Sequence, residues 1–385
     1  MTSIRVALVG AGVIARTHAQ IAHAHDALTL AAIIDPVLTA AQTLADETPV
    51  DNPTPAVFGS LTEALRAASY DLVVITTPSG SHAQLAEEAL GAGTHVIIEK
   101  PVDIDLGRAR RLADKARASG RVVSVMTQRR FSPAVVAVAR AIDDGRFGRI
   151  TSGTATMAWW RDDTYYASAA WRGTWASDGG GSLMNQGVHT VDVLLSLMGR
   201  PATVSAATAT LGHDGLEVED VAGAVIVFDD GAIATLLATT AAFPENSTRI
   251  QVHGTLGSAY VQDGLLEYFH ADDAHTGDAA RAWGRAGDQS AREVGTVDRP
   301  GAVLPLPDLF EEHLRQYDDV VDAILTGREP VASLDDAVQS LALIVAVYVS
   351  SAVGHPVRVA DVLGGKYDHV DHRNVRADHA RPAHA

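Results

Sequence analysis

The chain has 385 residues, a formal net charge of −17 and no cysteine. The negative charge argues against nucleic acid or an anionic membrane as partner, and the lack of cysteine excludes disulfides and thiolate metal sites. The length favours two domains, and residues 1–5 lead into a strand without a signal-peptide pattern, so we expect a cytoplasmic protein.

Short apolar runs alternate with helical patterns in the first third of the chain. Such runs are typical of strands buried on both faces of a parallel sheet. The predicted strands are residues 4–9, 30–34, 72–76, 95–98 and 122–126. Helices are predicted between them, for example at 61–68 and 81–90. The alternation indicates an α/β domain with a doubly wound parallel sheet at residues 1–126.

Longer strands without intervening helices follow this domain. They are predicted at residues 150–157, 202–211, 218–228, 232–239 and 249–253. Asp229-Asp230-Gly231 is a hairpin signal, so we expect a large antiparallel or mixed sheet in a second domain at 127–360. The polar stretch 263–300 is expected to be an extended loop.

The remaining elements of the chain are helical or polar. Helices are predicted at 309–325 and 334–349, and residues 361–385 are expected to form a solvated tail. Its histidines fit no compact ligand set, and we predict no metal site. They are His369, His372, His379 and His384.

A G-x-G-x-x-A pattern directly follows the first strand and opens a helix. Gly10 allows the tight turn, Gly12 lets the backbone approach a pyrophosphate, and Ala15 lets the helix pack close to the sheet. The helix start at Val13 and Ile14 offers N–H groups and a positive dipole end to phosphates. The pattern therefore predicts a dinucleotide site.

Asp35 ends the second predicted strand, twenty-five residues after Gly10. A carboxylate at this place accepts hydrogen bonds from a ribose 2′-OH and repels a 2′-phosphate. The neighbouring Pro36 and Val37 offer no compensating positive charge. We therefore predict NAD, rather than NADP, as the cofactor.

Two further motifs follow later strands of the first domain, where ligands bind in open α/β sheets. One is the turn at residues 76–82, and the other is Glu99-Lys100-Pro101. Together with the fingerprint, Trp171-Arg172 and the block at 179–192, they resemble the Gfo/Idh/MocA family of oxidoreductases. The resemblance extends to about residue 360.

The resemblance implies a Rossmann domain followed by an α/β domain with a large, mostly antiparallel sheet. That sheet commonly serves as an oligomer interface in the family, so we expect a homo-oligomer. It also implies hydride transfer between a sugar or polyol carbon and the nicotinamide of NAD. Besides the fingerprint residues and Asp35, the implied cofactor contacts are Thr77, Pro78, Ser79, His82, Glu99, Lys100, Gln128 and Arg172.

Lys100 and His189 are the predicted catalytic residues, and both are expected to contact substrate. Residues 182–198 have helical periodicity, which places Asn185, His189 and Asp192 on one polar face. Imidazole suits a general base, and a lysine suits the developing alkoxide. The reverse assignment, with Lys100 as base, stays open.

Asn185 departs from the family pattern, since many members carry aspartate at this position. An amide can bind substrate or orient the ring, and we predict a substrate contact for it. Asp192 is the alternative orienting partner of His189.

An aromatic cluster stands out in a chain that is otherwise poor in aromatic residues. Aromatic faces stack on the C–H faces of sugars. The cluster contains Trp159, Trp160, Tyr165, Tyr166, Trp171 and Trp175. Arg161 and Tyr165 are the predicted substrate contacts, with a local core as the alternative.

Three other side chains are weaker candidates. Arg129 and Arg130 follow the fifth strand and could bind an anionic substrate group, or lie on the surface at a domain joint. His313 could approach the cleft, but an exposed position on its helix is the expected one.

Three functions fit these motifs. A sugar or polyol dehydrogenase is preferred. The alternatives are an NAD-dependent enzyme that cleaves glycosides by transient oxidation and elimination, and a non-catalytic sensor of NAD or sugar.

Overall fold

The computed structural model describes residues 3–48, 54–272, 287–295, 309–371 and 373. The chain divides into two compact units. The first unit comprises Met1–Gln128 and Asp308–Leu341, and the second comprises Arg129–Pro307 and Ala342–Ala385. The division differs from the predicted domains because a C-terminal segment returns to the first unit. Most of the predicted tail, including His372, His379 and His384, lies outside the described residues.

The first unit contains a six-stranded parallel sheet in the order β3-β2-β1-β4-β5-β6. Its strands are β1 (Ile4–Val9), β2 (Leu28–Ile34), β3 (Ala56–Phe58), β4 (Leu72–Ile75), β5 (His95–Ile98) and β6 (Val123–Val125). The helices between them are α1 (Val13–Ala24), α2 (Leu38–Glu47), α3 (Leu61–Ala67), α4 (His82–Gly91) and α5 (Leu106–Ser119). This strand order is that of a dinucleotide-binding sheet, and the predicted fold class is confirmed. The edge strand β3 was not predicted.

The second unit contains an eight-stranded sheet in the order β13-β12-β11-β7-β10-β9-β8-β14. Only β7 and β10 pair in parallel, so the sheet is mostly antiparallel, as predicted. The strands are β7 (Ile150–Ala158), β8 (Pro201–Ala209), β9 (Val221–Phe228), β10 (Ile233–Thr239), β11 (Thr248–Gly254), β12 (Gly257–Gln262), β13 (Leu265–Ala271) and β14 (Val357–Arg358).

The predicted loop at 263–300 is wrong for its first part. Strand β13 pairs with β12 and carries buried residues such as Leu266 and Phe269. The prediction missed this strand because the composition of residues 263–300 as a whole is polar. Residues 273–286 and 296–300 lie outside the described part of the chain.

One face of the large sheet carries helices, and the other is bare of helices over the residues that the structure describes. The helices of this unit up to residue 295 are α6 (Pro133–Asp143), α7 (Asp163–Ala167), α8 (Val188–Met198) and α9 (Ser290–Val294). Helix α8 packs on β7 and β11. On the opposite face, alternate apolar residues are solvent-exposed: Val225, Ile233 and Leu237.

The C-terminal segment begins with a helix that completes the core of the first unit. It contains α10 (Leu309–Thr326), α11 (Leu334–Val353) and the short α12 (Val359–Leu363). Tyr317, Val320 and Val321 of α10 pack in the same buried cluster as β1 and α1. Helix α11 is long and apolar enough to cross a membrane, but 72% of that stretch is buried, as in the core helix of a folded protein.

Candidate functional site

The turn after β1 has the geometry that a dinucleotide phosphate requires. Gly10 has φ +101°, and a Cβ there would lie 2.8 to 2.9 Å from atoms of Thr76, so only glycine fits. Gly12 begins α1 without a side-chain cap, and a Cβ on it would meet no protein atom within 4 Å. The first N–H groups of the helix thus face open space beside Val13, which is 90% exposed. These residues fit a bound pyrophosphate.

Asp35 lies beside this turn at the end of β2. Its Oδ2 accepts a hydrogen bond from Ala11 N at 2.9 Å, and its Oδ1 accepts one from Val37 N at 2.8 Å. The two bonds fix a half-buried carboxylate next to the fingerprint. This is the arrangement that recognition of a ribose hydroxyl requires.

His82 joins the two motifs that follow β4 and β5. Its Nδ1 lies 2.8 Å from Pro101 O, and its Nε2 lies 2.7 Å from Thr77 O. The ring is 1% exposed, so His82 is a structural link between the motifs. In the turn itself, Pro78 is exposed and Ser79 is half-exposed, which leaves them accessible to a ligand.

Glu99, Lys100 and Gln128 follow the last strands of the first sheet. Lys100 is half-buried, its peptide bond to Pro101 is cis, and its amide donates to Glu99 Oε2 at 3.1 Å. Gln128 is buried at the last position of the unit's first segment. His313 is only 2% exposed and lies near Glu99, so its expected exposed position is wrong. It belongs to the buried face of α10, not to its solvent face.

A cavity of about 380 Å³ opens in the second unit beside the start of α8. Its wall combines hydrogen-bonding side chains with one aromatic face, as sugar sites do. The residues that characterise it are Arg129, Trp159, Gln186, His189, Thr190 and Asn246. His189 is half-buried at the second position of α8 and forms part of this wall.

The segment before His189 is a π-helical turn at Ser182–Gln186, where a regular helix was predicted. Such turns are frequent at functional sites, because they re-aim the side chains that follow. A Cβ on Gly181 would overlap the carbonyl oxygen of Glu219, and one on Gly180 would overlap Tyr348. The glycine run therefore makes room for protein atoms of its own unit.

Glu219 stabilises the π-helical turn through hydrogen bonds. Its Oε2 accepts from Gly181 N at 2.8 Å, and its Oε1 accepts from Leu183 N at 2.9 Å and from the Tyr348 hydroxyl at 3.0 Å. The side chain is fully buried, and burial raises the pKa of its carboxyl to about 7 in spite of these donors. The backbone at the start of the segment that carries Asn185 and His189 is thus hydrogen-bonded to a buried carboxyl group.

The polar face of the His189 helix is organised differently from the prediction. Asn185 Nδ2 donates to Asp178 Oδ1 at 2.6 Å. Both oxygens of Asp192 accept hydrogen bonds from the Arg130 guanidinium, at 2.6 and 2.7 Å. Asp192 is therefore ion-paired with Arg130, and the roles of Asp192 in orienting His189 and of Arg130 in binding an anion stay predictions.

The aromatic cluster forms an alternating stack of rings and guanidinium groups. Arg161 Cζ lies 4.9 Å from the Trp159 ring centre and 5.5 Å from that of Tyr165. Arg172 Cζ lies 4.3 Å from the Tyr165 ring centre and 4.5 Å from that of Trp171. Each contact is a cation–π interaction, so the stack is self-supporting.

The stack reaches the cavity through three contacts. Arg161 donates to Glu245 at 2.8 Å, Gln186 donates to the Tyr165 hydroxyl at 2.8 Å, and Trp159 lines the cavity directly. Arg161 and Tyr165 are thus hydrogen-bonded to Glu245 and Gln186, which line the cavity. Trp160 and Tyr166 pack on His213, and Trp175 is buried against Tyr348, which are local core roles.

Glu219, Gln186 and Asp178 were not among the residues predicted for the site. Each acts through a partner that is distant in the chain or lies on an irregular turn. A usable signal existed only for Gln186, because it directly precedes Gly187, Val188 and His189 in the block that carries the family resemblance.

Comparison with known proteins agrees with this organisation. Residues 4–127 match a family model described as an oxidoreductase family with an NAD-binding Rossmann fold, and residues 135–260 match the GFO/IDH/MocA C-terminal domain. The uncharacterized oxidoreductase YdgJ of Escherichia coli is 30% identical over 269 residues, which is 68% of this chain and 72% of that protein. The inositol 2-dehydrogenase of Rhizobium meliloti is 27% identical over 93% of this chain and 100% of its own length.

Solved structures show the same architecture. The WlbA dehydrogenase from Bordetella pertussis, in complex with NADH and UDP-GlcNAcA, matches with a TM-score of 0.79 and 30% identity over 93% of this chain and 98% of its own. The fingerprint turn and the Glu99-Lys100-Pro101 motif fall within residues 4–127, and strands β7 to β11 of the second sheet fall within residues 135–260. This chain belongs to the Gfo/Idh/MocA family of NAD(P)-dependent oxidoreductases.

Proposed function

We propose that the protein is an NAD-dependent dehydrogenase of a sugar or polyol. The observation that carries the proposal is the uncapped start of α1 at Gly12, with the Asp35 carboxylate fixed beside it. The inositol dehydrogenase relative and the sugar-derivative complex of WlbA support the substrate class. Gly12, the start of α1 and Asp35 would hold NAD, which would supply the acceptor for the hydride that leaves the substrate carbon.

The chain's own residues manage the proton and the charge. When the carbinol carbon loses hydride, its hydroxyl must lose a proton and the oxygen carries developing negative charge. We assign proton acceptance to His189 and stabilisation of the oxygen to Lys100. The proposal requires both side chains to reach one substrate hydroxyl. The polar cavity wall around His189, with the face of Trp159, suits the hydroxyl and C–H surfaces of a sugar ring.

The decisive experiment is a titration with NAD followed by an absorbance screen for NADH. Free sugars, inositols, sugar acids, nucleotide sugars and glycosides form the panel. Net NADH with one of the first four classes is expected. Release of an aglycone without net NADH identifies a glycoside-cleaving enzyme instead, and failure to bind NAD contradicts both.

Cofactor choice is tested by an Asp35→Asn variant. The amide keeps the shape and one acceptor oxygen but removes the charge that opposes a 2′-phosphate. We expect the ratio of kcat/KM for NADP over NAD to rise about tenfold, the effect of losing one charge repulsion of modest size. Asp46→Asn, an exposed change on α2, is the matched control. An unchanged ratio in Asp35→Asn would remove Asp35 from cofactor selection.

We also propose a homo-oligomer built on the bare face of the large sheet. Val225, Ile233 and Leu237 are 40–50% exposed on adjacent strands, and an apolar patch of this kind marks an association surface. Leu237→Arg is expected to convert the oligomer to monomers near the chain mass of 40.4 kDa in light scattering. Leu325→Arg, on an exposed position of α10, should leave the mass unchanged. A monomeric wild type contradicts the proposal.

A further inference from the structure

A buried polar cluster joins the cofactor helix to the segment that carries Lys100. It consists of His18 on α1, Glu99 after β5, and His313 and Tyr317 on α10, all in the first unit. None of the four residues is more than 8% exposed. Buried charged and polar groups of this kind are costly unless each is paired, so the pairing carries information about their role.

The contacts form one continuous chain of hydrogen bonds. The Tyr317 hydroxyl lies 2.7 Å from His18 Nδ1, His18 Nε2 lies 2.8 Å from Glu99 Oε1, and the Lys100 amide donates to Glu99 Oε2. Burial raises the pKa of Tyr317 well above its usual value, so its hydroxyl keeps its proton and donates.

The pKa shifts of His18 and Glu99 agree with hydrogen-bond donation from Tyr317 towards Glu99. Burial lowers the pKa of His18, which favours the neutral ring, and the Glu99 carboxylate that faces Nε2 favours the tautomer with the proton on that nitrogen. Burial alone would raise the pKa of Glu99, but the hydrogen bond from His18 and the nearby His313 ring, whose Nε2 lies 3.8 Å from Oε1, hold it well below its usual value. Tyr317 therefore donates a hydrogen bond to His18, and His18 donates one to the ionised Glu99. Glu99 also accepts a hydrogen bond from the Lys100 amide.

We infer that His18, Glu99 and Tyr317 are positioning residues for Lys100, coupling its backbone to the helix that binds the cofactor phosphates. The catalytic meaning of this inference rests on the proposed function. His18 is on the α1 helix that Gly12 opens, so a shift of this helix is transmitted to Lys100 through two hydrogen bonds. Placement errors near 1 Å reduce enzymatic rates about a hundredfold, so we expect loss of this link to lower the rate of the reaction.

A metal ion is the rival explanation for the cluster. The ligand atoms of His18, Glu99 and His313 all lie within 4.8 Å of one another. However, two ligands of one tetrahedral zinc ion lie about 3.3 Å apart, given metal–ligand distances near 2.0 to 2.1 Å. His18 Nε2 and Glu99 Oε1 are 2.8 Å apart, which is a hydrogen-bond distance. The geometry therefore favours a hydrogen bond between His18 and Glu99 over a metal ion bound by them.

The test compares His18→Gln with His18→Leu. Glutamine can place its amide N–H where Nε2 donates, whereas leucine fills similar space and donates nothing. His18→Leu is expected to lose about tenfold to a hundredfold in kcat with a smaller change in the KM for NAD, and His18→Gln to recover most of the rate. Tyr317→Phe should show an intermediate loss, against Tyr70→Phe as the matched control for a buried tyrosine elsewhere in this unit.

A second readout does not depend on turnover. The chain has three lysines, Lys100, Lys115 and Lys366, so acylation by acetic anhydride can be followed at each by peptide mass spectrometry. In His18→Leu, loosening of the Lys100 segment should raise its acylation rate about threefold or more relative to Lys115 and Lys366, and His18→Gln should not.

The outcomes separate the two proposals. If no substrate yields turnover in the wild type but Lys100 acylation responds as expected, the proposed function falls and the positioning role stands. If turnover is found and both His18 variants match the wild type in kcat and acylation, the positioning role is overturned. Stoichiometric zinc in the purified protein, lost in His18→Leu, also overturns it.

Discussion

Replacing His189 by alanine is expected to lower hydride transfer about a hundred- to ten-thousandfold, the range that a positioned general base contributes. In the wild type, kcat/KM should rise with pH as the base loses its proton, because only the neutral imidazole accepts one. The variant should lose this rise together with the rate. Stopped-flow measurement of NADH formation across pH and substrate concentration gives kcat/KM and separates the chemical step from product release.

A Lys100→Met variant distinguishes the two roles in the same experiment. If Lys100 stabilises the oxyanion, the rate falls but the rise with pH remains. If the rise disappears in Lys100→Met and persists in His189→Ala, the assignment is reversed. His23→Ala and Lys115→Met, on exposed parts of α1 and α5, are the matched controls. Near-wild-type rates in both principal variants would falsify the scheme.

Glu219 should make the stability of the protein fall as the pH rises through the mildly acidic range. Its pKa is about 7 in the folded chain, against 4.5 for an ordinary glutamate. Between these values the unfolded chain releases the proton while the folded chain retains it, so rising pH favours unfolding. A shift of this size corresponds to about 3 kcal/mol of unfolding free energy, gained in full below pH 4.5 and lost above pH 7.

The measurement is urea unfolding of the wild type and Glu219→Gln at pH 5 and pH 8. Glutamine has one acceptor oxygen, so it keeps the bonds to Leu183 and Tyr348 and loses the one to Gly181. The advantage of the wild type over the variant should shrink by about 3 kcal/mol between the two pH values. Glu329→Gln, on an exposed loop, is the control. Parallel pH dependence in wild type and variant contradicts the assignment.

Much of the first unit could be predicted because its signals are local. The strands are continuous apolar runs, and Gly10 and Asp35 mark the turn and the strand end by residue type alone. The short strand β3 was missed because Ala56 is exposed, Val57 and Phe58 are only partly buried, and the three residues are too few to form an apolar run that stands out. The hairpin at residues 229–231 was recognised because its turn chemistry is contained in three residues.

The interior contacts of the site depend on partners that are far apart in the chain. His313 faces Glu99 across more than two hundred residues, and periodicity alone could have placed it, since it shares a stripe with Tyr317 and Val320. Glu219 carries no pattern, because nothing near it in the chain shows that its carboxyl group meets Gly181. The contact of Asn185 with Asp178 was missed because it depends on the irregular turn at Ser182–Gln186, and the catalytic roles of Lys100 and His189 stay predictions.

The return of α10 to the first unit has a consequence for synthesis on the ribosome. The nucleotide-binding unit cannot close its apolar core when residue 128 emerges, because Tyr317, Val320 and Val321 are still untranslated. About half of the chain must be made first, and at 5–20 residues per second the delay is roughly ten seconds or more. During that time the face of the sheet that α10 covers is exposed to chaperones. Gene fragments that end before residue 309 should therefore yield an insoluble nucleotide-binding unit.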